Sequence, residues 1–143
     1  MKRLGIWMDK QKAFIINPQK DTIKKVLSEI EDYKIKGGSG TPLKGGPQDV
    51  VQDSKYLERE KHQYKIYFKE IIDRIRGVDE LIIFSPAQAG LKFEKELRNN
   101  YKEIYSKLQG CIKADSMTIK QTKALIKNHF EKQYWNLLSQ NYL

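Results

Sequence analysis

Chemistry in this chain would have to come from few residues. Asp9, Glu70 and Asp115 are the acids best placed to hold metal ions, and two-metal phosphodiester hydrolysis needs several carboxylates converging on ions roughly 4 Å apart. These three are scattered, and the apolar stretch ELIIFSP ends in Ser85 and Pro86 where a carboxylate would be useful. No metal site is expected. His62 and His129 are too distant in sequence for a local metal pair, and neither accompanies a serine or cysteine in a nucleophile elbow. Cys111 is the single cysteine, so it can neither close an internal disulfide nor head a zinc site, and it reads as a core residue. The KGGP stretch lacks the Gly-x4-Gly-Lys-Ser/Thr pattern of a phosphate-binding loop, so no nucleotide cofactor is expected.

The segment Lys34 to Lys55, KIKGGSGTPLKGGPQDVVQDSK, holds five glycines and two prolines and almost nothing to bury. Long loops of this kind inside a compact domain are uncommon, and they are usually either functional or disordered. Lys34, Lys36 and Lys44 place three positive charges there with no acid before Asp49, as expected of a segment lying against phosphates. The whole chain agrees in sign: 27 Lys and Arg against 18 Asp and Glu give a formal charge of +9 and a pI near 9.5. RNA, DNA or an acidic membrane surface would each answer that charge, as would no partner at all in a generally lysine-rich proteome.

The elements that must position these residues are well punctuated. Leu4, Ile6 and Met8 alternate with Gly5 and Trp7, and a polar break at Asp9 to Gln11 leads into AFIIN, which predicts a β-hairpin. TIKKVLSEI suits a helix by spacing and a strand by its β-branched residues; the topology favours a strand. After the glycine-rich loop, set at residues 34–55, Tyr56 to Arg76 puts Leu57, Tyr64, Tyr67, Phe68, Ile71, Ile72 and Ile75 on one helical stripe that ends at Gly77. ELIIFSP reads as a buried strand, Leu91 to Leu108 as a helix, GCIKADS as a strand, and MTIKQTKALIKNHFEKQYWNLL as a last helix with Ser116 as its N-cap. The expected fold is α/β over residues 1–143 as one domain. It is a ribonuclease H-like mixed five-stranded sheet, an antiparallel meander followed by βαβ units, with helices on its faces.

No apolar run approaches the ~20 residues of a membrane helix, and Asp9 interrupts the only stretch that could serve as a signal peptide, so the expected compartment is the cytoplasm. Lys120, Lys123 and Lys127 on the last helix suit either a phosphate-facing stripe or a solvated face. The aromatic tail with Trp135, Leu137, Leu138 and Tyr142 suits either core closure or a partner surface.

Three pieces carry a family resemblance. GGPQDVV is followed by LEREKHQYKIYFKEI and then by DELIIFSPAQAGLKFEKEL. In that order they resemble the middle domain of the archaeal and eukaryotic class-one peptide release factors and Pelota-like proteins. There a Gly-Gly-Gln loop precedes a helix opening Glu-Lys-Arg-His-Asn-Tyr, then a buried strand and an Ala-Gly-Ser-Ala-x-Phe-Lys turn. The matching residues are Glu60, Lys61, His62, Gln63 and Tyr64, with Ser85 to Phe93 at the turn. Over most of residues 4–130 the chain is similar to the bacterial archaeo-eukaryotic release factor-like family. The resemblance implies a translation-associated protein whose partners are ribosomal RNA or tRNA. Lys34, Lys36, Lys44, Arg59, Lys61 and Lys65 would form its basic surface. It further implies that Gly45, Gly46 and Gln48 could help a water attack the ester of peptidyl-tRNA, making the protein a ribosome-rescue or release-like factor. This chain departs from the motif in one place: Pro47 stands between the second glycine and the glutamine, which fixes one φ, removes an N–H and restrains Gly46. It also holds no evident counterpart of the codon-reading domain of the full-length factors.

Overall fold

Alternating apolar residues make the first three strands, and the register of their pairing decides which side chains meet. The computed structural model describes the backbone of residues 1–31 and 47–141, and the side chains of residues 1–31 and 54–132. β1 (Arg3–Met8) and β2 (Lys12–Asn17) form the expected hairpin, with Trp7 opposite Phe14. Its turn is held by Asp9, whose Oδ1 accepts the N–H groups of Gln11 and Lys12. β3 (Thr22–Leu27) continues antiparallel on β2. β4 (Glu80–Ser85) lies parallel to β1, and β5 (Leu108–Lys113) lies parallel to β4. The result is α/β, with one mixed five-stranded sheet in the order β3-β2-β1-β4-β5.

The helices divide between the two faces of this sheet. Leu4, Ile6, Met8, Ala13, Ile15, Leu81 and Ile83 form one face with α1 (Pro47–Ile75) and α2 (Gln88–Asn100). Trp7, Phe14, Ile16, Ile82 and Phe84 form the other with α4 (Ile119–Asn141), through Ile126 and Phe130. α4 comes so close to β1 that a Cβ on Gly5 would stand 2.5 Å from Ile126 Cγ2. Glycine is needed there for space rather than for its backbone freedom. Among the described residues no helix is long and apolar enough to cross a membrane.

Four points differ from the sequence reading, each for a local reason. α1 begins at Pro47, so residues 47–55 are helical and not part of a loop extending to Lys55. Proline is tolerated in a first helical turn, where its missing N–H would have no partner anyway. At the start of the buried stripe of α1 it is Tyr56 that is buried, 7% exposed, while Leu57 is 59% exposed. The stretch read as one helix from Leu91 to Leu108 is α2 and a short α3 (Lys102–Tyr105), separated at Tyr101, whose φ and ψ of −138° and 62° are not helical. The cap of α4 is Thr118 rather than Ser116. Thr118 Oγ1 accepts the Gln121 N–H at 3.1 Å and Gln121 Oε1 accepts the Thr118 N–H at 3.0 Å, a reciprocal capping box. The side chains of the aromatic tail lie outside those described.

Candidate nucleic-acid interface

α1 is amphipathic, and its solvent side is where positive charge collects. Lys61 and Lys65, both expected in a basic surface, are exposed, and Lys69 continues the row at the same four-residue interval. Residues at that interval are neighbours on one helical face, about 6 Å apart along the axis, and like charges so placed destabilise a helix by roughly 0.2–0.5 kcal/mol per pair. No ion pair to an acid engages any of the three among the described residues. Arg59 is different: its Nε lies 2.9 Å from Glu31 Oε2, so this guanidinium is already matched.

At the N-terminal half of α1 a polar cluster ties the helix to the hairpin turn. Lys10 Nζ lies 2.9 Å from Glu60 Oε2, and the Tyr56 hydroxyl lies 2.9 Å from the same oxygen and 3.0 Å from the Glu31 carbonyl. Its one proton serves one acceptor at a time, while Lys10 Nζ donates to it at 3.3 Å. Ser28 Oγ donates to the Lys10 carbonyl and the Tyr67 hydroxyl to the Asp9 carbonyl. Burial alone would raise the pKa of the Glu60 carboxyl. The hydrogen bonds from Lys10 and Tyr56 and the Lys10 charge outweigh it and hold the group below the ordinary glutamate range. Lys10 responds in the same sense, since burial lowers its pKa but Glu60 and Tyr56 more than restore it. For Tyr67 burial dominates and pushes the phenol up, keeping it a neutral donor.

The strand-to-helix turn after β4 packs beside this cluster. Ser85 Oγ accepts the Gly90 N–H at 3.1 Å, and a Cβ on Gly90 would stand 2.5 Å from Ser85 Cβ and 3.1 Å from Cys111 Sγ. Glycine lets α2 close onto the ends of β4 and β5. The ammonium of Lys92 lies 4.5 Å from the centre of the Tyr64 ring, and Phe93 meets Phe68 edge-on at 5.2 Å. The segments Glu60–Tyr64 and Ser85–Phe93, far apart in sequence, are therefore in contact.

The other expected site residues fall as follows. Gly45, Gly46, Lys34, Lys36 and Lys44 lie outside the described residues, and Gln48 is in the first turn of α1 with its side chain outside them. His62 is exposed on α1, whereas His129 is partly buried on α4, bonded to Gln109 at 2.8 Å, with its pKa lowered by burial. Asp9 is engaged in the hairpin turn, and among the described residues no three His, Cys, Asp or Glu side chains are placed to hold a metal ion. Sequence reasoning missed Lys69, which its four-residue step from Lys65 could have revealed. It also missed the Lys10–Tyr56–Glu60 cluster, which joins residues 46 and 50 positions apart and has no local signal. Comparison with protein-family models finds no match, and no curated protein matches the chain.

Proposed function

We propose that this protein binds RNA of the translation machinery, ribosomal RNA or tRNA, through the exposed face of α1. The observation that carries the reading is the row Lys61, Lys65 and Lys69, an arrangement that costs helix stability and has no compensating ion pair among the described residues, in a chain of charge +9. A bound polyanion would turn that repulsion into attraction and release its own counterions. The choice of RNA in translation rests on the release-factor resemblance, whose two segments meet at Tyr64 and Lys92.

The decisive experiment is co-sedimentation with purified ribosomes across a salt series, with Lys61, Lys65 and Lys69 changed together to glutamine. The triple variant should bind more weakly, and the slope of log affinity against log salt should fall by about 2, from roughly 0.7 per phosphate contact on single strands. An unchanged slope would remove α1 as the binding face. A second reading, release-like hydrolysis of peptidyl-tRNA, is favoured by α1 opening at Pro47 directly after Gly45 and Gly46 on the same helix as Glu60 and Tyr64. Ester hydrolysis in the same fractions, abolished on changing Gly45 and Gly46 to alanine, would select that reading; binding without hydrolysis would select the first.

A further inference from the structure

Across the sheet from α1 lies a second basic region with a different character, because here the lysines border an opening. A groove of about 370 Å³ runs between α4 and the turn joining β2 to β3, lined by Ile16, Pro18 and Ala124 together with Lys123, Lys127 and Asp21. That volume is at the small end of the roughly 300–1,000 Å³ typical of small-molecule sites. One wall is firmly built: Asn17 Oδ1 accepts the N–H groups of Gln19 and Lys20 at 3.0 and 3.1 Å, and Asp21 follows in the left-handed region at φ 53°. Lys123 and Lys127 are one helical turn apart on α4, another like-charged pair. Lys123 Nζ lies 3.3 Å from Asp21 Oδ1, but that carboxylate side chain is 82% exposed. Such exposed surface pairs are weak, so a phosphate held by both lysines can displace the carboxylate. Lys25, its ammonium 5.8 Å from the centre of the Phe14 ring, extends positive charge along β3 on the same face of the sheet.

We propose that this groove takes one nucleotide of a single-stranded RNA, its phosphate on Lys123 and Lys127 and its nucleoside against Pro18 and Ala124. The charge selects an anion, and the apolar lining selects one with an apolar face of its own, which a nucleotide supplies and a bare phosphate does not. Bases stacked inside a duplex cannot enter a groove of this size, whereas the splayed bases of a single strand can. The inference rests on the reading of the protein as an RNA binder and adds a binding region on the opposite face of the sheet from α1.

The test uses octauridylate as probe with the full chain. Affinity is measured across a salt series for the wild type, Lys123→Gln/Lys127→Gln, Asp21→Asn, and the α1 triple variant. The α4 double variant should bind more weakly, with a salt slope lower by about 1.4, because two lysines no longer displace counterions from the strand. Asp21→Asn should bind several-fold more tightly, because it removes the competing carboxylate. On adding the probe to the wild type, the methyl resonance of Ala124 should shift. An unchanged slope in the α4 double variant, or an unshifted Ala124 methyl, overturns the groove. If the α1 triple variant still binds more weakly than wild type in that case, the RNA-binding reading stands. Wild type that binds neither octauridylate nor ribosomes at low salt overturns both.

Discussion

The two faces of the sheet are covered by different means. On the α1 side the cover is an aromatic and aliphatic stripe, with Tyr64 and Phe93 each against Phe68 and the row of isoleucines at 71, 72 and 75 beneath. On the α4 side the described packing centres on Ile126 and Phe130, and the helix gains its hold by coming close enough to touch β1 at Gly5. One face is held by volume and the other by proximity. The electrostatics divide the same way: α1 presents an open row of lysines on a convex helix surface, whereas the lysines of α4 border a groove.

The largest loss of stability should come from the face held by volume. Phe93→Ala, at a fully buried ring, should cost about 3–5 kcal/mol in urea unfolding. A loss under about 1 kcal/mol would mean that α2 is not an integral part of this core. Gly5→Ala should come next, at about 1–3 kcal/mol, because Ile126 or the helix axis must yield. Its cost should shrink in an Ile126→Ala background, and equal costs in both backgrounds would remove proximity as the device that holds α4. The smallest effect is that of pH on the α1 side. Since the Glu60 carboxyl is held below its ordinary value near 4.5, its contribution is complete above that value and is lost as pH falls through the lower folded value. The wild type should therefore lose urea resistance below about pH 4.5 more steeply than Glu60→Gln, and superimposable acid limbs would show that the Lys10–Tyr56–Glu60 cluster adds nothing to stability.

Legibility in the sequence followed the range of the forces involved. The hairpin was readable because period-two alternation at Leu4, Ile6 and Met8 is a local signal, and so was the α1 stripe from Tyr64 to Ile75. The start of α1 was not, because the glycines ahead of it and its first residue, Pro47, read as loop, although proline at a first turn is compatible with helix. Tyr56 and Leu57 exchanged places because hydrophobicity favours the leucine, while the fold gives Tyr56 polar partners for its hydroxyl in Glu60 and Glu31. The candidate interface shows the same split. Lys61 and Lys65, expected in a basic surface from the release-factor resemblance, are exposed on α1, but the commitment of Arg59 to Glu31 depends on a partner 28 residues away. The groove at α4 needs the β2–β3 turn to supply its other wall, and no pattern within the last helix announces that.

Cys111 has a practical consequence that reaches beyond packing. It sits half-buried on the edge strand β5 beneath Gly90, and burial, with a smaller push from Glu94, raises its thiol to about 11. At pH 8 roughly one such thiol in a thousand is in the reactive form while the fold is closed. An alkylating reagent added to the native protein should therefore modify the closed chain on the order of a hundredfold more slowly than it modifies an ordinary thiol. Labelling faster than that closed-state rate reports the parting of β5 and α2, readable by mass without introducing any probe.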